Sequence, residues 1–151
     1  DVPGPYKGRG NDNEWGQKYA DVLERMMVGD MAVIPAEYDR ACHLELPGGV
    51  TGHSHDAADQ FWMGLRSSFP KATFTIEHQI GRSDANMPPR AAIRWGLHGK
   101  HDGWGSFGAP TGADVYVMGA SHAEFGLWGL RREYVIFDET SVWKQILIHN
   151  G

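Results

Sequence analysis

Imidazoles are the first groups in this sequence that could do chemistry. Eight occur in 151 residues, and a histidine titrates near neutrality, so it can both take up and return a proton. His122 lies in an alternating stretch, with Tyr116, Met118, Ala120, His122 and Glu124 on one side and Val115, Val117 and Phe125 on the other. An imidazole beside a tyrosine and a methionine is how a pocket wall would look. The same pattern also fits a histidine held by hydrogen bonds within a sheet. His101 sits in Gly99-Lys100-His101-Asp102-Gly103, on the parity of Trp95 and Leu97. There it would orient a ligand or donate to an oxyanion, or, the plainer reading, pin a glycine-rich turn through its ring nitrogens. Glu133 shares the parity of Val135 and Phe137. It either points inward and pairs with His122, raising the imidazole pKa and fixing its tautomer, or forms an ion pair with Arg131, Arg132 or Arg94 at the surface.

Other constellations are weaker. His53-Ser54-His55, with His43 upstream, has no third ligand at diagnostic spacing, so no metal site is expected. The segment Gly103-Trp104-Gly105-Ser106-Phe107-Gly108 lacks the Gly-Lys-Ser/Thr ending and following helix of a phosphate loop, and reads as an aromatic lip. Trp62, Trp95, Tyr38 and Phe107 would line an apolar pocket or simply fill the core. Asp138, following Phe137, suits a cap for the final helix, with Thr140 or Ser141 as its partner.

Composition narrows the function classes. Fourteen basic residues against nineteen acidic ones give a net charge of −5, which argues against a nucleic-acid binder working through bulk charge. One cysteine, Cys42, allows neither an internal disulfide nor a cysteine-based zinc site. No apolar run approaches the ~20 residues of a membrane span, and a cytoplasmic location is expected.

The elements that must position these groups follow from periodicity. Residues 1–13 show no apolar period and read as a flexible arm, leaving 14–151 as one domain. Trp15, Tyr19, Val22, Leu23, Met26 and Met27 give a helical face that Gly29 ends. A short helical stretch near Pro35 follows, then a strand over 41–46 that Pro47-Gly48-Gly49 stops. Ala58, Phe61, Trp62, Leu65 and Phe69 mark a second long helix capped by Ser54. Four strands come next, around 73–80, 91–98, 115–125 and 130–137, with Phe74, Ile76, His78 and Ile80 on one face of the first. A short helix follows around Val142–Leu147. Helices first and a strand meander after predict α+β: a strongly curved antiparallel sheet packed on the N-terminal helices, forming a cone whose wide end admits a small molecule.

Phe69-Pro70, Gly99-Lys100-His101-Asp102-Gly103, Pro110-Thr111-Gly112, Glu133, Phe137-Asp138 and Gln145, in this order, resemble the SnoaL-like polyketide cyclase family, of the nuclear transport factor 2-like (cystatin-like) fold. The resemblance spans roughly residues 14–149. It departs at Lys71, where the family has Asp, and at Tyr134, where it has Trp. It departs also at Val135, which stands where characterised cyclases carry an acid/base Asp. His122 matches the position of the pocket histidine that those cyclases use beside that Asp.

The resemblance thus implies a cofactor-free protein that binds a small, largely apolar carbonyl compound in its cone. Aldol cyclisation or isomerisation would follow, with His122 as acid/base, Glu133 beside it, and Trp95, His101, Tyr116, Met118, Phe107, Tyr38 and Val135 lining the substrate. Glu45, beside His43, sits where isomerase-like relatives place a general base. The alternative is a non-catalytic binding or dimerisation module of the same fold. The expected partners are a small molecule and a second copy in a homodimer, with no nucleic acid and no membrane.

Overall fold

The computed structural model describes residues 10–151. The chain runs α1 (Glu14–Met27), α2 (Val33–Glu37), β1 (Tyr38–Leu46), β2 (Val50–His53), α3 (Ser54–Ser68), β3 (Thr73–Arg82), β4 (Arg90–Lys100), β5 (Asp114–Gly126), β6 (Gly129–Phe137) and α4 (Glu139–Asn150). The strands form one sheet in the order β2-β1-β6-β5-β4-β3. The α+β class and the curved sheet are those expected from the sequence. The sheet is not wholly antiparallel, however, because β1 runs parallel to β6. β2, α3, β3, β4 and β5 intervene between β1 and β6 in the chain, and alternation within one strand does not encode so distant a pairing. The four-residue strand β2, which pairs antiparallel with β1, is not among the strands expected from the sequence.

α1 forms where the sequence placed it. Asn13 caps it by accepting from the Trp15 amide at 2.9 Å, and Tyr19, Val22, Leu23 and Met26 bury its inner stripe. Of the expected flexible arm, residues 1–9 lie outside the described residues, and residues 10–13 are held on β3. Gly10 bridges Gln79, while the Asn11 side chain donates to the Gly81 carbonyl and accepts from its amide, both at 3.0 Å. α3 packs Ala58, Trp62 and Leu65 inward. Its cap is His53 rather than Ser54, which takes a positive φ of 72° as the first helical residue.

The two faces of the sheet decide everything about the site. Ala91, Ile93, Trp95 and Leu97 of β4, Val115, Val117, Ala123 and Phe125 of β5, and Glu133 and Val135 of β6 are buried on the inner face. Tyr116, Met118, Ala120, His122 and Glu124 stand on the opposite, outer face. The expected face of β3 does not hold along its length. A bulge between Ile76 and His78 flips the parity, so Phe74 and Ile76 pack inward while His78 and Ile80 join the outer face. Trp95 pairs in register with Gly119, and a Cβ at Gly119 would overlap the Trp95 indole. Glycine there lets the ring lie flat across the inner face.

Candidate functional site

Among the described residues, the inner face buries one carboxyl group. Glu133 is fully buried and accepts from the Tyr19 hydroxyl at 2.6 Å, the Tyr38 hydroxyl at 2.8 Å and the Trp62 indole N–H at 3.0 Å. Burial raises its pKa above the usual carboxylate range, against the pull of its three donors. The same burial, reinforced by the neighbouring carboxylate, drives the Tyr19 and Tyr38 hydroxyls well up, so both stay protonated as donors. α1, β1, α3 and β6 thus meet at a single carboxylate.

Glu133 points inward, but it does not pair with His122. It pairs in register with Ala123, while His122 faces Tyr134 across the β5–β6 ladder. Neighbouring residues on a strand point to opposite faces, so the sheet separates the two groups. His122 is half-buried in a groove of about 310 Å³ on the outer face, among His78, Arg94, Tyr134 and Ile136. Desolvation lowers its pKa, opposed by Glu124 and assisted by Arg90. Tyr116 and Met118 share this outer face, and the Tyr116 hydroxyl donates to Glu77 at 2.9 Å. These three do not wall the interior of the cone.

The remaining expected lining residues are inside. Trp95 donates to Ser121 Oγ at 3.0 Å and stands near Trp62 and Phe74, with ring centroids at 6.1 and 5.7 Å. Tyr38 and Val135 are buried beside Glu133. His101 is fully buried. Its Nδ1 meets Thr111 Oγ1 at 2.9 Å, its carbonyl accepts from the Thr111 and Gly112 amides, and its amide donates to Ala113. Burial depresses its pKa, against the pull of Asp102 and the Gly108 carbonyl. Nδ1 pins the loop between β4 and β5, while Nε2 is buried without a hydrogen-bond partner among the described residues, so the expected pinning holds for one ring nitrogen.

That loop shapes an opening beside the aromatic interior. Gly64 and Gly105 let it lie directly on α3, where a Cβ at Gly105 would strike the Gly64 carbonyl. The Ser106 amide donates to the same carbonyl at 3.2 Å. Phe107 follows and inserts between Phe69 and Trp143, with centroids at 5.9 and 5.3 Å. A cavity of about 310 Å³ results between α3, β2, this loop and α4, bordered by Phe61, Phe107, Phe137 and Trp143 with Gln60 and Glu139. Phe61 links it to the interior, its ring 4.9 Å from that of Trp62.

Of the residues expected to line a ligand, only Phe107 borders this cavity. Sequence reasoning placed Trp143 within a short final helix, yet it borders this cavity and is 42% exposed because α4 lies at the rim. The same reasoning passed over Gln60, Phe137 and Glu139 as site residues; Phe137 belongs to a motif of the resemblance, and nothing in the spacing of Gln60 or Glu139 marks them. The motif residue Gln145 instead ties α4 to β5, donating to the Tyr116 carbonyl and accepting from its amide, both at 2.9 Å.

On the outer face at the other end of the sheet, His43 Nε2 lies 2.7 Å from Glu45 Oε1. The pair and Thr51 lower the Glu45 pKa. Among the described residues, no group of three or more His, Cys, Asp or Glu side chains is placed to hold a metal. No described helix is long and apolar enough to cross a membrane.

No protein-family model matches the chain, and no curated protein matches it. Solved structures do. A candidate SnoaL-like polyketide cyclase from Jannaschia sp. superposes with a TM-score of 0.71 at 14% identity, over 90% of this chain and 96% of its own. IdmH, a candidate polyketide cyclase from Streptomyces antibioticus, gives 0.71 at 17% identity, over 89% and 99%. A SnoaL-like polyketide cyclase from Agrobacterium tumefaciens gives 0.62 at 17%, over 85% and 94%. Six strands curved over α1 and α3, with the later helix α4 at the rim, therefore give this chain the fold of the SnoaL-like polyketide cyclases on which it superposes.

Proposed function

We propose that the chain binds a small, largely apolar compound in the cavity between α3, β2, the 103–108 loop and α4. The observation that carries this reading is the lining: four aromatic side chains from three elements and a loop converge there with a few polar groups at the edge. The SnoaL-like fold supports it, because its named neighbours are polyketide cyclases or candidates for that activity. An acyl-chain carbonyl compound folded for aldol cyclisation or isomerisation is the corresponding catalytic version. In that version His122 cannot act on a ligand in this cavity, since the sheet lies between them. Glu133 holds the inner wall through Tyr19, Tyr38 and Trp62.

The test uses a neutral fluorescent apolar probe, N-phenyl-1-naphthylamine. The expected result is saturable binding of one probe per chain with quenching of Trp143, and loss of that quenching in Trp143→Phe with binding retained. Non-saturable partitioning would contradict the reading.

A second reading concerns the outer face. Met118 is 63% and Ile136 67% exposed on adjacent strands, with Tyr116, Tyr134 and Ile80 around them. A second copy laid sheet to sheet across this face would cover them. Sedimentation of the chain against a Met118→Asp, Ile136→Asp double variant tests it. A dimer that becomes a folded monomer is expected, and a wild-type monomer at every concentration would contradict it.

A further inference from the structure

The rim cavity has a charge character that its apolar lining does not require. Phe61, Phe137, Phe107 and Trp143 border it as a chain of neighbouring rings, with successive centroids at 6.4, 6.4 and 5.3 Å. Among the lining residues Glu139 is the sole ionisable side chain, and no lysine, arginine or histidine is present. Glu139 is exposed at the first turn of α4 and forms no salt bridge among the described residues. Its carboxylate lies over Gly48, where a Cβ would come within 3.1 Å of Oε2. The tight turn of β1 into β2 thus leaves room for the carboxylate at the cavity edge.

We propose that the ligand of this cavity is a small organic cation, an alkylammonium or quaternary ammonium compound, held among the four rings with Glu139 as counter-charge. The inference rests on the reading of this cavity as the ligand site and adds the class of compound. An ammonium head gains from the negative faces of aromatic rings as well as from burial of its methyl groups. A neutral compound of the same shape gains only the burial, and an anion is repelled by Glu139. The chain's net charge of −5 adds long-range attraction of the same sign. Gln60, also in the lining, offers an amide to a hydroxyl or carbonyl on the ligand.

Three probes of one shape and different charge separate these terms: choline, 3,3-dimethylbutan-1-ol and 3,3-dimethylbutanoate. They are titrated into the full chain and followed by the Trp143 indole N–H resonance. Choline is expected to bind at least 10-fold more tightly than the alcohol, and the butanoate most weakly. Glu139→Gln is expected to bring choline towards the alcohol while leaving alcohol binding and the circular dichroism spectrum unchanged. An alcohol that binds as tightly as choline, or a choline affinity untouched by Glu139→Gln, overturns the proposal. So does the absence of saturable binding by all three. If the neutral naphthylamine still binds in that last case, the cation inference alone falls; if it too fails, the ligand cavity falls with it.

Discussion

The rim cavity and the outer groove each enclose about 310 Å³, yet they are built differently. The groove is the surface of a single sheet: β3, β4, β5 and β6 supply it, with His122 at one side and apolar groups along its floor. The rim cavity draws on α3, β2, a pinned loop and α4, so its walls come from elements that different parts of the core hold in place. A hollow walled from several directions can take most of the water from a small ligand. A trough on one sheet suits another flat surface. The proposed division of labour follows this difference, with small-molecule binding at the rim, association on the outer face, and His122 on the face away from the rim cavity.

If this division is right, damage to the inner face costs folding, and damage to the outer face costs only association. The largest effect is expected at Glu133. Glu133→Ala strands the Tyr19, Tyr38 and Trp62 donors in the core, and at roughly 1–3 kcal/mol per stranded donor the loss is about 3–9 kcal/mol by urea denaturation. Phe107→Ala comes next. It removes a buried ring that packs on Phe69, Phe137 and Trp143 and should cost about 3 kcal/mol, since Phe→Ala changes in cores run from about 3 to 5. Binding of the naphthylamine probe should fall with it.

The inner face also has a pH signature. Because the Glu133 pKa is raised in the folded state, its contribution to stability is present below the unfolded value of 4.5 and is lost as pH rises through the folded value. The stability of the wild type relative to Glu133→Gln should therefore decline as pH rises above 4.5. His101 acts in the opposite sense. Its pKa is depressed, so its contribution is present above 6.5 and is lost as pH falls through the folded value. Wild-type stability relative to His101→Asn should decline as pH falls below 6.5. A flat difference in either series would mean that the group is not buried as described. The smallest effect belongs to the outer face: His122→Ala should change monomer stability by no more than about 0.5 kcal/mol and leave probe binding unchanged.

Much of this was legible in the sequence, and the part that was not has a physical cause. The apolar stripes of α1 and α3 specify their own inner faces, because Tyr19, Leu23, Trp62 and Leu65 contrast with polar residues on the other side. β5 offers no such contrast. Val115, Val117 and Phe125 on one face and Tyr116, Met118 and Ala120 on the other are both apolar enough to be the core. A period of two fixes which residues share a face but not which face is covered. That ambiguity is what put His122 inside the cone.

The bulge at Glu77–His78 is likewise invisible to alternation, and it carried His78 and Ile80 to the outer side. The sequence left Glu133 facing either inward or to the surface, and its three donors lie 114, 95 and 71 residues away, beyond the reach of any local pattern. The rim residues Gln60, Glu139 and Trp143 come together only after α4 has docked on β5 through Gln145.

The most direct test fills each hollow separately. Ala57 borders the rim cavity and Ala120 the outer groove, so Ala57→Trp and Ala120→Trp each place an indole in one of them. Titration of N-phenyl-1-naphthylamine into both variants should show saturable binding abolished in Ala57→Trp and retained at wild-type affinity in Ala120→Trp. The reverse pattern would put the small-molecule site on the His122 face and contradict the account.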